Sequence, residues 1–321
     1  MAMENAPTIE MIEAAQARIT PHLHRTPLLR SRLLDEITGA KLVFKCENFQ
    51  RSGSFKVRGA FNAVLSLPAR TAAQGVATHS SGNHAAAIAL AARTRGIKAH
   101  VVMPRNAPAV KKAAVAGYGA CIVECEPTLA AREAAVDAVV RETGATYIPP
   151  YDHTDVIAGQ GSCALELIAD AAEGLDVVTC PVGGGGLLGG TLIATKARAP
   201  GVAVVAAEPE AADDAARGFL LRRRQPQVLP VATVADGLTT SMSALTFSLM
   251  RKHADAVVIV SEEAIVEAMR LIWTRMKILI EPSSAVPLAA ILERRYDVAG
   301  RRVGVILTGG NVDLDRLPWR R

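Results

Sequence analysis

Val177-Val-Thr-Cys-Pro-Val-Gly183-Gly-Gly-Gly-Leu-Leu-Gly-Gly190 and the following Thr191-Leu-Ile-Ala-Thr-Lys-Ala-Arg198 read as a short apolar strand, a glycine-rich turn and a helix. A short apolar strand followed by a helical pattern is the sign of a βαβ unit and a parallel sheet. Glycine has no Cβ to keep a ligand away from the backbone. The unpaired N–H groups that open a helix, together with its dipole, favour negative charge. Gly184, Gly186 and Gly189 satisfy G-x-G-x-x-G, and Glu208 ends the next apolar run, where the ribose-binding acid of a dinucleotide site would stand. The physics asks only for an anion, and any phosphate satisfies it. Four consecutive glycines exceed the needs of a simple strand-to-helix turn, which is the competing reading.

Outward from this unit the same alternation recurs. Apolar runs at 75–79, 98–103, 120–124 and 145–148 are separated by helical patterns at 83–95, 108–116 and 129–142. A second series places strands at 177–181, 202–207, 256–260 and 302–307, with helices at 160–173, 187–198, 262–274 and 283–294. Such alternation predicts βαβ units, so the expected fold class is α/β with two open, twisted α/β domains. At roughly 150 residues per domain, a chain of 321 residues fits about two. The expected division is off-centre: a small unit at 67–151 is inserted in a larger one made of 1–66 and 152–321. The first 65 residues, with an amphipathic helix and a strand at 41–45, fit neither series alone, and 217–230 reads as a loop.

Composition narrows the partners. The 36 Lys and Arg against 31 Asp and Glu leave a net charge of +5, scattered apart from short runs such as Arg222-Arg-Arg224 and lacking interleaved aromatics. A nucleic-acid groove needs a basic stripe with stacking platforms, so none is expected. The longest uncharged stretch, 177–195, holds six glycines and a proline and is no membrane span. Five cysteines (46, 121, 125, 163 and 180), odd in number and without a C-x-x-C pair, read as buried thiols. With an acidic start followed by an amphipathic stretch, they suggest a cytoplasmic protein.

Three further stretches carry chemistry. In Ser52-Gly-Ser-Phe-Lys-Val-Arg-Gly59, Lys56 stands among apolar and turn residues; desolvation disfavours its charged form and makes the amine a usable nucleophile and base. His79-Ser-Ser-Gly-Asn-His84 joins a strand to a helix, where hydroxyls, an amide and free N–H groups make a carboxylate pocket. A helix cap by Ser80, Ser81 or Asn83 is the alternative. Thr308-Gly-Gly-Asn-Val-Asp313 likewise follows an apolar strand.

Together these stretches resemble the fold-type II pyridoxal-phosphate enzymes (tryptophan synthase β-like architecture), specifically the serine/threonine dehydratase and serine racemase family. The resemblance also draws on Arg25-Thr-Pro-Leu28, Gly159-Gln-Gly161, Glu208-Pro209 with Ala212-Asp-Asp214, Ala235-Asp-Gly237 and Glu281-Pro282, in order along nearly the whole chain. It implies that Lys56 links pyridoxal 5'-phosphate covalently and later acts as general base. Phe55 and Gly237 would flank the ring, Asn83 bond its phenolic oxygen, Gly183, Gly184, Gly185, Gly186 and Leu187 hold the phosphate, and Thr308 face the pyridine nitrogen. Ser80, Ser81, Asn83 and His84 would receive the substrate, and Ser81 could return a proton on the face opposite Lys56. Arg132 matches a position that contacts acidic ligands. Glu208, the Ala212 carbonyl and Asp214 resemble a divalent-cation site suited to Mg²⁺ or Ca²⁺.

The resemblance implies a homodimeric dehydratase that converts L-threonine or L-serine to a 2-oxo acid and ammonia. A neutral hydroxyl at Thr308 leaves the pyridine nitrogen largely unprotonated, which suits β-elimination better than transamination. The alternatives are threo-3-hydroxyaspartate ammonia-lyase, to which Arg132 points, and serine racemase, to which Ser81 points. A nicotinamide oxidoreductase rests on the glycine fingerprint alone and leaves Lys56, Asn83 and Thr308 without roles.

Overall fold

The computed structural model describes residues 5–227 and 229–319. In chain order the strands are β1 (Leu28–Leu29), β2 (Lys41–Cys46), β3 (Val76–His79), β4 (Ala99–Pro104), β5 (Cys121–Cys125), β6 (Thr146–Tyr147), β7 (Val177–Pro181), β8 (Ala203–Pro209), β9 (Ala256–Val260) and β10 (Arg302–Leu307). They make two sheets, one of six strands in the order β1-β2-β10-β7-β8-β9 and one of four in the order β5-β4-β3-β6. All pairings are parallel except that of β1 with β2. The mixed α/β fold expected from the alternation is therefore present.

Both faces of the large sheet are covered. Val303, Val305 and Leu307 of β10 pack with helices Glu262–Leu271 and Pro282–Leu292 on one side. Ile306, with Val178, Cys180, Val204 and Ala206, packs with helix Gly186–Arg198 on the other. Double coverage is why the middles of these strands run apolar on both faces. In the small sheet, Ala77 and Val102 meet helix Leu129–Thr143, while Val101 and Met103 meet helix Asn83–Arg95. Helix Lys56–Ser66 touches both units: Val57, Ala60 and Phe61 pack with Ile88 and Val76, and the Gly59 N–H donates to Gln160 Oε1 of helix Thr154–Asp170 at 3.2 Å.

Several expected boundaries shift. The helix placed at 160–173 runs Thr154–Asp170 and is capped by His153, whose side chain accepts from the Asp155 N–H. Gly159 and Gly161 thus lie inside a helix, where glycine is normally unfavourable. Close packing explains them: a Cβ at Gly159 would stand 2.5 Å from the Arg58 carbonyl oxygen, and one at Gly161 2.7 Å from Ile12 Cδ1. Residues 217–221, expected in a loop, complete helix Asp214–Leu221. Helix Ala244–His253, unforeseen in the sequence, is announced by a capping box between Ser243 and Thr246. Four cysteines are buried, but Cys121 is exposed because β5 is an edge strand. Among the described residues, no helix is long and apolar enough to cross a membrane.

The two kinds of helical glycine should respond oppositely to a methyl group. Gly159→Ala should lose about 1–3 kcal/mol through overpacking. Gly117→Ala, with no atom within 4 Å of the added Cβ, should be neutral or gain up to about 1 kcal/mol. Urea denaturation midpoints compare them directly.

Candidate active site

The start of helix Lys56–Ser66 is fastened to the end of β10. The Phe55 N–H donates to the Thr308 carbonyl at 2.9 Å, and Ser54 forms a bridge with Gly309. The Lys56 amine donates to the Pro150 carbonyl at 2.9 Å and lies 5.3 Å from the Phe55 ring centroid. Desolvation lowers its pKa to about 8, against the opposing pull of the Glu281 carboxylate.

Glu281 is buried where helix Pro282–Leu292 begins. The Asn83 amide donates to both its oxygens at 2.9 and 3.1 Å, and Asn83 Oδ1 accepts from Asn311 Nδ2 at 2.8 Å. Burial raises the Glu281 pKa to about 7, and the Asn83 hydrogen bond works in the other direction. Lys56 and Glu281 are thus both poised near neutrality.

The loop after β3 does not cap its helix through a side chain. Gly82 is the N-cap and makes no side-chain cap bond; Ser80 Oγ only accepts from the Gly82 N–H at 3.3 Å. Ser80, Ser81 and Asn83 are half-buried. His84 is buried, with Nε2 3.0 Å from the Ile148 carbonyl and Nδ1 unpartnered. Desolvation, then the charge of Lys56, holds its pKa down at about 3, so the ring is neutral and Nε2 is the donor.

The glycine turn leads from β7 into helix Gly186–Arg198, with Gly185 at φ 85°, a conformation that L side chains rarely adopt. Among the described residues, the N–H groups of Gly183, Gly184, Gly185, Gly186 and Leu187 donate to no protein acceptor. The Gly184 carbonyl accepts from Thr246 Oγ1 at 2.8 Å, and the Tyr151 ring fills the space a Gly184 side chain would need. Five free donors at a helix start are chemically suited to cradle a phosphate. Thr308 is buried, 2.9 Å from Ser284 Oγ, and the Gly237 N–H donates to Ser283 Oγ at 3.0 Å.

Two predicted groups lie apart from this cluster. Arg132, on helix Leu129–Thr143, is half-buried with no carboxylate partner among the described residues; its Nε–H makes only a long bond, 3.4 Å, to the Thr128 carbonyl. It adjoins His79, whose pKa is lowered by burial and then by the Arg132 charge. Glu208, at the end of β8, accepts from the Ala215 and Ala216 N–H groups at 3.2 and 2.9 Å, so it also caps helix Asp214–Leu221. Asp214 Oδ2 accepts from the Met242 N–H, and its Oδ1 is buried without a partner. Burial, then the neighbouring Asp214, raises the Glu208 pKa; burial raises that of Asp214 to about 6. A desolvated carboxylate pair with an orphan oxygen is chemically suited to a hard cation. No group of three His, Cys, Asp or Glu ligands exists among the described residues.

Amino-acid patterns did not reveal the roles of the Pro150 carbonyl, Tyr151 and Glu281. Glu281 entered the sequence reading only through the Glu281-Pro282 pair, as one of the motifs that carry the resemblance.

A lysine amine, a neutral hydroxyl and a five-donor cradle at one cleft fit pyridoxal phosphate, and with two α/β sheets they define a fold-type II enzyme of that cofactor. The model of the pyridoxal-phosphate-dependent enzyme family matches residues 19–309, and the chain belongs to that family. It is 51% identical over 317 residues to the β-hydroxyaspartate dehydratase of Paracoccus denitrificans, covering 98% of this chain and 99% of the relative. It is 45% identical to the serine racemase of Dictyostelium discoideum, covering 97% and 96%. The solved structure of maize serine racemase superposes with a TM-score of 0.94 at 43% identity, covering 97% and 95%. Within the family the chain stands with the amino-acid lyases and racemases.

The reactivity of Lys56 should report its surroundings. Trapping the cofactor-free chain with an aldehyde and borohydride should label Lys56 with a midpoint near pH 8. In Glu281→Gln, loss of the anion that favours the ammonium form should move that midpoint lower. Peptide mapping across a pH series reads both.

Proposed function

We propose that the chain is a pyridoxal-phosphate-dependent ammonia-lyase acting on 3-hydroxyaspartate. Of the substrates considered from the sequence, the dicarboxylic one is favoured over L-threonine and L-serine by Arg132. This half-buried cation has no carboxylate partner among the described residues and stands beside His79, immediately before the serine loop. A long-stemmed guanidinium there suits a substrate's second carboxylate. The dehydratase relative supports the same choice.

The bound cofactor supplies an electron sink that weakens the Cα–H bond. Lys56, poised near neutrality, is the base that takes the Cα proton, a role worth about 10²–10⁴-fold in rate. The Pro150 carbonyl orients its amine. Ser80, Ser81 and the N–H groups at the start of helix Asn83–Arg95 receive the α-carboxylate. His84, kept neutral, adds no competing charge. The glycine cradle holds the phosphate without a formal cation, and Phe55, Gly237 and Asn83 confine the ring. Loss of the β-hydroxyl as water and later uptake of one water give a 2-oxo acid and ammonia. A homodimer in the cytoplasm, acting on a small molecule with no nucleic-acid or membrane partner, is part of the same reading.

Ser81 favours a second reading, racemisation of serine: its half-buried hydroxyl makes no hydrogen bond within the protein among the described residues, so it is free to exchange a proton with Cα. A screen of L-serine, D-serine, L-threonine and the 3-hydroxyaspartate isomers, scoring 2-oxo acid, ammonia and enantiomer, separates the two. Selective release of ammonia from hydroxyaspartate is expected; fast inversion of serine without 2-oxo acid would replace the lyase reading. Arg132→Leu should lower kcat/KM for hydroxyaspartate about 10- to 100-fold, the worth of a hydrogen bond to a charged group, while activity on serine changes little.

Glu208, Asp214 and the Ala212 carbonyl are proposed to hold Mg²⁺ or Ca²⁺. Millimolar Ca²⁺ should raise the thermal midpoint of the chain through preferential binding to the folded state. In Asp214→Asn that increment should disappear.

A further inference from the structure

Lys56 opens a helix that no side chain caps: Phe55 occupies the N-cap position and offers no acceptor. The first turn is gripped from behind. Arg58, two residues on and so about 200° around the axis, is only 1% exposed. Its Nε–H and one Nη2–H donate to Glu47 Oε2 and Oε1 at 2.7 and 2.8 Å. The other Nη2–H and one Nη1–H reach Glu166 Oε2 and Oε1 at 2.7 and 2.8 Å. The remaining Nη1–H goes to Ser162 Oγ at 3.1 Å. Glu47 directly follows β2, and Ser162 and Glu166 lie on helix Thr154–Asp170. Lys45 donates to Glu166 Oε2 at 2.7 Å and to the Thr26 carbonyl at 2.8 Å, so two buried cations meet two buried anions.

A planar fork held by two carboxylates fixes direction as well as position, which a point charge does not. Arg58 bonds to Glu47, Glu166 and Ser162 and not to Lys56, so its influence on Lys56 passes through the placement of the helix that carries both.

We infer that Arg58 is a positioning residue for Lys56: its clamp sets the rotation of the helix start and thereby where the amine stands in the cleft. The inference rests on Lys56 being the cofactor-linking lysine. Borohydride reduction and peptide mapping of the wild-type holoenzyme test that premise separately, because cofactor found elsewhere would refute it whatever Arg58 does.

The test compares Arg58→Lys with Lys45→Met, which disturbs the same network from β2 without touching the helix that bears Lys56. Three quantities are read: the thermal midpoint, the rate at which added pyridoxal phosphate becomes fixed to Lys56, and kcat against KM. Arg58→Lys should slow fixation at least about tenfold and lower kcat about 100-fold, the cost of a misplacement near 1 Å, with KM within about threefold. Lys45→Met should lose stability yet fix the cofactor at the wild-type rate. Fixation that slows in both variants in proportion to lost stability, or a wild-type rate in Arg58→Lys, overturns the inference. Should Arg58→Lys not fold, Ser162→Ala removes one of the five acceptors without removing a charge. A folded Ser162→Ala should fix the cofactor several-fold more slowly, and a wild-type rate there overturns the inference equally.

Discussion

Every N–H of the Arg58 guanidinium is engaged inside the protein, and the two carboxylates that engage it come from segments far apart in sequence. Desolvation works against the charge of Arg58, but Glu47 and Glu166 more than offset it; burial likewise works against Glu166, and Arg58 prevails. Such an assembly is tolerable only when complete, since removing one partner of a buried pair costs about 3–5 kcal/mol. Completeness dictates much else. Helices Lys56–Ser66 and Thr154–Asp170 must cross with backbones nearly touching, which is why Gly59 and Gly159 have no side chains at the crossing. The clamped helix packs on one side against the small sheet and on another against helix Thr154–Asp170, so Lys56 stands on a tightly constrained element.

On the cleft side of that helix the electrostatics change character. Behind Lys56, charged side chains pair with one another; in front of it, burial moves Lys56 and Glu281 toward neutrality from opposite sides and keeps His84 uncharged. A base that must take a proton and later return it works best with its pKa near ambient pH. The desolvation that produces this is a property of the closed surroundings, not of any one neighbour.

Anion binding follows the same economy of charge. The phosphate cradle consists of five backbone N–H groups at a helix start, held open by Gly185 in a left-handed conformation and backed by Tyr151, Met242 and Thr246. The basic excess of the chain has no part in it. Arg132, which lies apart from these donors, enters only the proposal about substrate choice.

The α/β alternation, the glycine cradle, Lys56, the serine loop and Thr308 were legible in the sequence because each depends on local pattern: residue spacing, β-branched runs and glycines that open a helix. The resemblance carried by those motifs reached the cofactor for the same reason. The crossing at Gly159, the partnership of Glu281 with Asn83 and the saturation of Arg58 were not legible, since each depends on a meeting of residues about 100 to 200 positions apart and no local period records such a meeting. Arg58 read alone is a charged residue that belongs in water. Only the fold, by bringing Glu47 and Glu166 to it from two sides, decides that it is buried, and desolvation in that same fold lowers the pKa of Lys56 two residues earlier to about 8.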